Sequence, residues 1–374
     1  MSVDSVPDAK AGPMLKQACT SGKQLLSRFH GCLVGAVLGD CLGSPFEGSD
    51  CVTYDEVERI SLNMGKSTRS SRHRFTDDTA MTRSLAASLI EHNGFNAKDM
   101  ATRFTDEFFR DSARGYGYNV TTVFQAWKDE TYDDVFQPAR EQFQGSGSYG
   151  NGGAMRIAPV PLFGYNFTEA KLQELAEQTT LLTHTHPDAL SGAILQSFAI
   201  HQALHETSEV LDTQKFLDGL IEKMNKVEDN SEGVSRRPKR PSEEEPHPYC
   251  FKLEKIKEFL TKDEADTRDV VYELGTDVSA LGSVPTAVFA FLWCHKERKG
   301  LEKWSPFEQT IIHSISLGGD TDTIASMAGA IAGAYYGIEA IPWEWQSQCE
   351  GVADAKKYAE DILKIVQSNV TAEV

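Results

Sequence analysis

The stretch Ser314–Gly337, SISLGGDTDTIASMAGAIAGAYYG, decides the fold. A glycine pair leads into Asp320-Thr321-Asp322-Thr323, and residues 324–338 then run without a charge. That run is short for a bilayer span and reads as a helix buried on all sides. Its glycines, Gly329, Gly333 and Gly337, recur at four-residue steps and so share one helix face. The stretch HGCLVGAVLGDCLG, starting at His30, sets Gly31, Gly35 and Gly39 at the same steps. Glycine inside a helix costs about 0.8–1 kcal/mol against Ala, so two such rows imply close helix–helix approach in a core. The aspartates pose the problem. An unpaired buried carboxylate costs several kcal/mol or takes up a proton, and no Lys or Arg lies nearby in sequence.

A second acid motif, RFTDDTAMTRSL, carries Thr76, Asp77, Asp78 and Thr79 ahead of another apolar helix. Helix capping accounts for either motif alone, because Asp and Thr suit an N-cap and acids suit the first turn. Capping needs one such side chain, not three or four in a row. If the motifs meet, four carboxylates crowd one place, and each close pair repels by about 4 kcal/mol at an effective dielectric of 20. Two divalent ions balance that charge. An all-oxygen donor set selects Mg²⁺ first, then Mn²⁺ or Ca²⁺. Asp322, central among the acids, is the candidate bridge between two ions. Other metal readings are weaker. His201 and His205 are spaced i, i+4, but Gln202 stands where a zinc protease has Glu. His184 and His186 sit beside a Pro turn, and His184 is a candidate pocket residue.

Helical periodicity dominates the remaining chain, with no alternating strand–helix rhythm, so the expected fold is all-α. We expect a single large many-helix orthogonal domain over 25–370 with a binuclear metal cleft. Residues 1–24 are expected to be disordered. The segment 227–248 is rich in charge, Pro and Ser and reads as a flexible insertion; its RRPKRP is a possible nuclear-import patch. The net charge of −18, from 55 acids and 37 bases, argues against direct DNA binding and against an anionic membrane surface. No uninterrupted apolar run reaches bilayer length. Seven scattered cysteines without a C-x-x-C pair indicate a reducing compartment. Nucleus and cytoplasm are expected. The run from Ala9 to Gly39 holds bases but no acids, which leaves the mitochondrial matrix open, although Asp4 and Asp8 spoil a transit pattern.

The loop QFQGSGSYGNGGAMRIAPV, from Gln142, contains G-x-G-x-x-G over Gly145–Gly150. The polar, helical PAREQF before it excludes a dinucleotide-binding strand, and no G-K-[ST] follows to make a P-loop. Converging backbone N–H groups still suit a pyrophosphate, with a helix N-terminus expected at Ala154. Phe143 and Tyr149 are placed to stack on a base or to pack.

Taken in order, GCLVGAVLGDCLGSPFEG, FTDDTAM, GSYGNGGAMR, LTHTHPDAL, SVPTA and SLGGDTDTIASMAGAIAGAYYG resemble the ADP-ribosylhydrolase family from about residue 30 to about 350. GSYGNGGAMR and SISLGGDTDTIA are most similar to the type that removes ADP-ribose from serine and shortens poly(ADP-ribose). The resemblance implies a Mg²⁺-dependent hydrolase with two Mg²⁺ ions, acting on ADP-ribosylated proteins and releasing ADP-ribose in the DNA damage response. It implies that Thr76, Asp77 and Asp78 with Asp322 hold one ion, and that Asp320, Asp322 and Thr323 hold the other. Glu47 falls at the catalytic glutamate. Ser146, Gly147, Ser148, Tyr149, Gly150, Asn151 and Gly152 are implied to cradle the phosphates. Phe143, His184 and Val278 are implied to line the pocket. A monomer is expected. The rival readings are an arginine-specific hydrolase of the same fold, a catalytically silent ADP-ribose binder, and a metal-dependent phosphohydrolase yielding AMP.

Overall fold

The computed structural model describes residues 13–64, 72–208, 210–231 and 245–372. Among the described residues there are α-helices, short 3₁₀ turns and two isolated bridges, His73 with Cys349 and Gly150 with Ser279. The all-α expectation holds. The helices that build the site are α1 (Pro13–Gly43), α2 (Asp77–His92), α3 (Gln137–Gly145), α4 (Pro187–His205), α5 (Ala280–Trp293), α6 (Pro306–Ser316), α7 (Thr321–Tyr336) and α8 (Val352–Ala372).

At the centre stands α7, with every residue from Thr321 to Tyr335 buried. It packs on α1, α4, α5 and α6, while α1 and α2 also carry α8. Its ends are set locally. Asp320 occupies the N-cap, and Gly337, at φ 80°, closes the other end by donating its N–H to the Gly333 carbonyl.

The glycine rows meet as an antiparallel seam. A Cβ added at Gly31 would lie 2.2 Å from the Gly333 carbonyl oxygen. At Gly35 it would lie 2.1 Å from the Gly329 oxygen, and at Gly39 2.0 Å from that of Ala325. The row continues one step further to Gly43, where a Cβ would lie 2.5 Å from the Asp322 Cα. No side chain fits between backbones this close. The seam therefore ties the end of α1, and Glu47 just beyond it, to the acid-bearing start of α7.

By length and composition Gly22–Phe46 qualifies as a membrane span, contrary to the sequence expectation, yet its most apolar part is 72% buried inside the protein. It is a core helix whose apolar face is met by α7. The first helix enters at Pro13, inside the stretch 1–24 expected to be disordered; residues 1–12 lie outside the described residues. Of the insertion expected at 227–248, residues 227–231 and 245–248 are described, and 232–244 lie outside the described residues. A helix runs Thr213–Ser231, and Glu228 accepts the Tyr249 and Cys250 N–H groups at 2.9 and 3.1 Å, capping Pro248–Leu260. RRPKRP lies outside the described residues.

Candidate active site

Two helix N-termini face each other across one cleft. At α2, Thr76 is the N-cap, its hydroxyl accepting the Asp78 N–H, so the capping reading is right for Thr76. It does not explain the aspartates. Asp320 sits at the N-cap position of α7 but caps nothing; its carboxylate accepts a hydrogen bond from the Asn151 side chain instead, at 2.5 Å. The Thr323 hydroxyl reaches across to Asp78 Oδ2 at 3.2 Å, and the Thr323 N–H donates to Asp322 Oδ1 at 2.8 Å. One carboxylate oxygen from each of Glu47, Asp320 and Asp322 lies within 4.8 Å of the others. All seven expected residues of the acid constellation, Glu47 included, thus belong to one neighbourhood.

Gly318 and Gly319 make the approach possible. Both have positive φ, 77° and 74°, and a Cβ on either would lie 1.9 Å from a neighbouring carbonyl oxygen, of Asp50 and Thr276 respectively. In that conformation Gly319 exchanges backbone hydrogen bonds with Gly48 and Ser49, at 2.8 and 2.7 Å, while the Asp320 N–H donates to the Thr276 oxygen at 2.8 Å. The loop bearing Glu47 and the loop before α5 are sutured to Asp320.

The electrostatics are one-sided. Burial, then neighbouring carboxylates, pushes Asp77 up to about 8 and Asp322 up to about 9, and raises Asp78 well above the carboxylate range. Burial also raises Asp320, and partial burial followed by Asp320 raises Glu47. Two helix N-termini do not offset this charge. Among the described residues, the cleft, about 340 Å³, is lined by five carboxylates and by no Lys or Arg. Asp78 Oδ1 is buried without a hydrogen-bond partner among the described residues. An orphaned carboxylate oxygen, clustered acids and threonine hydroxyls form a donor set that fits hard divalent cations.

The other wall is the glycine loop. Here α3 breaks at its end: Phe143 and Gln144 take positive φ, 50° and 60°, a strained left-handed pair that turns the chain into the loop. Phe143, Ser148, Tyr149, Gly150, Asn151 and Gly152 line the cleft, as expected. Ser146 and Gly147 do not. Their N–H groups are spent on the Phe143 and Gln142 carbonyls, at 3.3 and 3.1 Å, and Gly147 backs onto Thr185 outside the cleft. The following helix begins at Gly152 rather than Ala154 and is a single turn, Gly152–Met155. Val278 is 64% exposed at the rim, its carbonyl accepting the Asn151 N–H at 3.0 Å. Phe143 and Tyr149 stand 5.9 Å apart between ring centroids. His184 is buried beneath Gly150 and Gly152, and burial and Arg156 lower its pKa to about 3. His205 stacks on Tyr165 with His201 tilted against it, away from the cleft.

Asp40 escaped the sequence reading. Fully buried, it accepts the Thr76 N–H at 2.9 Å, the Thr79 N–H at 3.0 Å and the Thr79 hydroxyl at 2.6 Å. It is the only acid between Phe29 and Phe46, and that isolation was the available signal. Also unforeseen is the wall Gly115, Gly117, Tyr118 and Asn119, beside Asp77. The Arg114 carbonyl accepts the Asp77 N–H at 2.7 Å, and its guanidinium grips Glu350 through two hydrogen bonds, at 2.7 and 3.0 Å.

Residues 21–371 match the ADP-ribosylglycohydrolase family. The chain belongs to that family. An ADP-ribosylhydrolase ARH3 of Xenopus tropicalis is 44% identical over 342 residues, covering 91% of this chain and 96% of the relative. The human ADP-ribosylhydrolase ARH3 is 42% identical over 351 residues, covering 92% and 95%. A solved structure titled ADP-ribosylglycohydrolase-related protein complex superposes with a TM-score of 0.61 at 22% identity, over 92% of this chain and 99% of that one; it supports the fold. As a member of the ADP-ribosylglycohydrolase family this chain is a hydrolase, and the bond it breaks is a glycosidic bond of ADP-ribose.

Proposed function

We propose that this chain removes ADP-ribose from serine side chains and from poly(ADP-ribose) termini, using two Mg²⁺ ions. The observation that carries the reading is the single cleft in which Glu47, Asp77, Asp78, Asp320 and Asp322 face a glycine loop. Asp77 and Asp78 with Thr76, and Asp320 and Asp322 with Thr323, would hold the ions, with Asp322 shared. When bound, such cations polarise substrate oxygens and lower the pKa of water. In the reaction water adds at ribose C1″, the bond from C1″ to the acceptor oxygen breaks, and that oxygen leaves with a proton. Glu47 exchanges a proton with the leaving oxygen or the attacking water. The glycine loop holds the diphosphate, while Phe143, Tyr149 and Val278 bracket the far end of the nucleotide. The serine and polymer preference is supported by GSYGNGGAMR and SISLGGDTDTIA and by the likeness to proteins named ARH3. A protein of net charge −18 meets a polyanion best at its terminal unit, where the cations sit.

The test is ADP-ribose release from a serine-ADP-ribosylated peptide, in Mg²⁺ and in EDTA. Release is expected only with Mg²⁺, and Glu47→Gln should slow it by about 10²–10⁴-fold with an unchanged melting temperature. Release from an arginine-linked peptide alone would move the assignment to arginine, and AMP as product would overturn glycosidic cleavage.

A further inference from the structure

Behind the glycine loop lies a buried cation that the reaction above does not use. Arg156 is 0% exposed and sits 4.9 Å from the Phe104 ring centroid. Its guanidinium donates to the Gly152 carbonyl at 2.7 Å, to the Thr179 carbonyl at 3.1 Å and to the Thr183 hydroxyl at 2.7 Å. Thr183 is itself clamped, its carbonyl accepting from the Gln142 side chain at 2.8 Å. The Thr183 oxygen lies 2.7 Å from His184 Nδ1, and the other edge of that imidazole lies against Gly150 and Gly152 in the cleft wall.

These contacts fix where protons go. A hydroxyl has one proton, and a guanidinium only donates. Arg156 donates into one lone pair on Thr183 Oγ1, and among the described residues His184 Nδ1 is the one acceptor that hydroxyl meets, so the threonine proton goes to Nδ1. In a neutral imidazole the remaining proton sits on Nε2. The ring stays neutral, since it is buried beside a cation.

We infer that Arg156, acting through Thr183, locks His184 as a neutral Nε2–H donor aimed at an oxygen of the substrate held on the glycine loop. Arg156 and Thr183 are positioning residues, and His184 is a binding residue that cannot serve as a base. The target is an anionic or hydroxyl oxygen, a diphosphate or ribose oxygen if the function proposed above is right; the inference rests on that reading only for the ligand's identity. The same guanidinium holds the Gly152 carbonyl, so the loop and the ring are set together.

Long-range ¹H–¹⁵N spectra of ¹⁵N-histidine-labelled full-length protein read the tautomer directly, with the His184 signals assigned from His184→Asn. The wild type should show the Nε2–H form. Thr183→Val keeps the side-chain shape and removes the hydroxyl. It should lose the pure Nε2–H signature and weaken ADP-ribose binding, read by calorimetry, by about three- to tenfold, the worth of one hydrogen bond. Thr183→Ser should restore both. An Nδ1–H form in the wild type overturns the inference, as does a Thr183→Val protein with wild-type spectrum and affinity. If the wild type binds no ADP-ribose, the proposed function fails, and the spectra of wild type, Thr183→Val and Thr183→Ser still decide the relay.

Discussion

Glycine does opposite work in two regions of this molecule. In the seam between α1 and α7, Gly31, Gly35, Gly39 and Gly43 have helical backbones and serve by lacking a side chain; carbonyl groups fill the space where Cβ atoms would be. In the loop from Gly145 to Gly153, a backbone that leaves the helix presents itself to the cleft, and the glycines are shaped by what lies behind them. Gly147 meets Thr185, Gly152 meets His184 and Gly153 meets Thr180. The seam makes a rigid floor that brings Glu47 to the acids. The loop makes a wall whose position depends on a few polar side chains. Damage to the floor should therefore cost the fold, and damage to the wall should cost ligand affinity.

The largest effect belongs to the floor. Gly39→Val places branched carbon where a single Cβ already falls 2.0 Å from the Ala325 oxygen. Neither helix backbone yields locally, so the cost is at or above the upper end of the roughly 1–3 kcal/mol usual for overpacking. A melting temperature lowered by at least about 4 °C is expected. A Gly39→Val protein that melts like the wild type would show the seam to be looser than its contacts imply. The second effect tests the charge on that floor. Asp77 and Asp322 have folded-state values near 8 and 9, above the ordinary 3.8. Their stabilising contribution is present below pH 3.8 and is lost as pH rises through 8 and 9, because the folded state holds the protons longer than the unfolded chain. In EDTA the melting temperature, corrected for other groups with Asp77→Asn and Asp322→Asn, should fall from pH 5 to pH 9. Mg²⁺ should flatten that fall. Equal slopes with and without Mg²⁺ would count against a cation on these carboxylates.

Much of the floor was legible in the sequence because its causes are periodic or compositional. Four-residue glycine steps predict a seam, and acids without bases predict a cation. Neither depends on knowing the partner in advance. The wall was only partly legible. G-x-G-x-x-G marks a loop, but it does not say that Ser146 and Gly147 spend their N–H groups inside the turn, since that follows from the left-handed backbone at Phe143 and Gln144. Arg156 and Thr183 lie inside the motifs GSYGNGGAMR and LTHTHPDAL, but nothing in those motifs pairs them, because their contact spans 27 residues. Asp40 was visible as a lone acid in an apolar helix; what it holds was not, since Thr76 and Thr79 lie on another helix and its cap.

Asp40 ties the floor to the other acid motif, being rooted in α1 of the seam and bonded to the acid-bearing first turn of α2. Asp40→Asn keeps the volume but sets an NH₂ against an N–H of Thr76 or Thr79. Such outer partners of metal ligands are worth about 10–100-fold in metal affinity. The Mg²⁺ concentration for half-maximal hydrolysis should rise by that factor, while excess Mg²⁺ restores most of the rate. A loss of rate that Mg²⁺ cannot restore would mean that Asp40 holds the fold and not the ligands.

The smallest effect belongs to the wall, and it separates the regions most cleanly. Gly152→Ala adds one carbon 2.6 Å from His184 Cε1 and 2.9 Å from Nε2. The clash is milder than those in the seam, where the nearest atoms would lie 1.9–2.5 Å away, and here the neighbour is a side chain at the cleft surface. The ring cannot swing freely, because Nδ1 is tied to Thr183, so loop and imidazole must part by several tenths of an ångström. Misplacement on this scale acts on bound substrate and leaves the helix core alone. An increase of about tenfold in KM is expected, equivalent to about 1.4 kcal/mol, with a melting temperature within 2 °C of wild type. If Gly152→Ala instead unfolded the protein as Gly39→Val should, the loop would be part of the core, and the division between floor and wall would fail. If it changed kcat at constant KM, the wall would act on the reacting bond and not on the nucleotide.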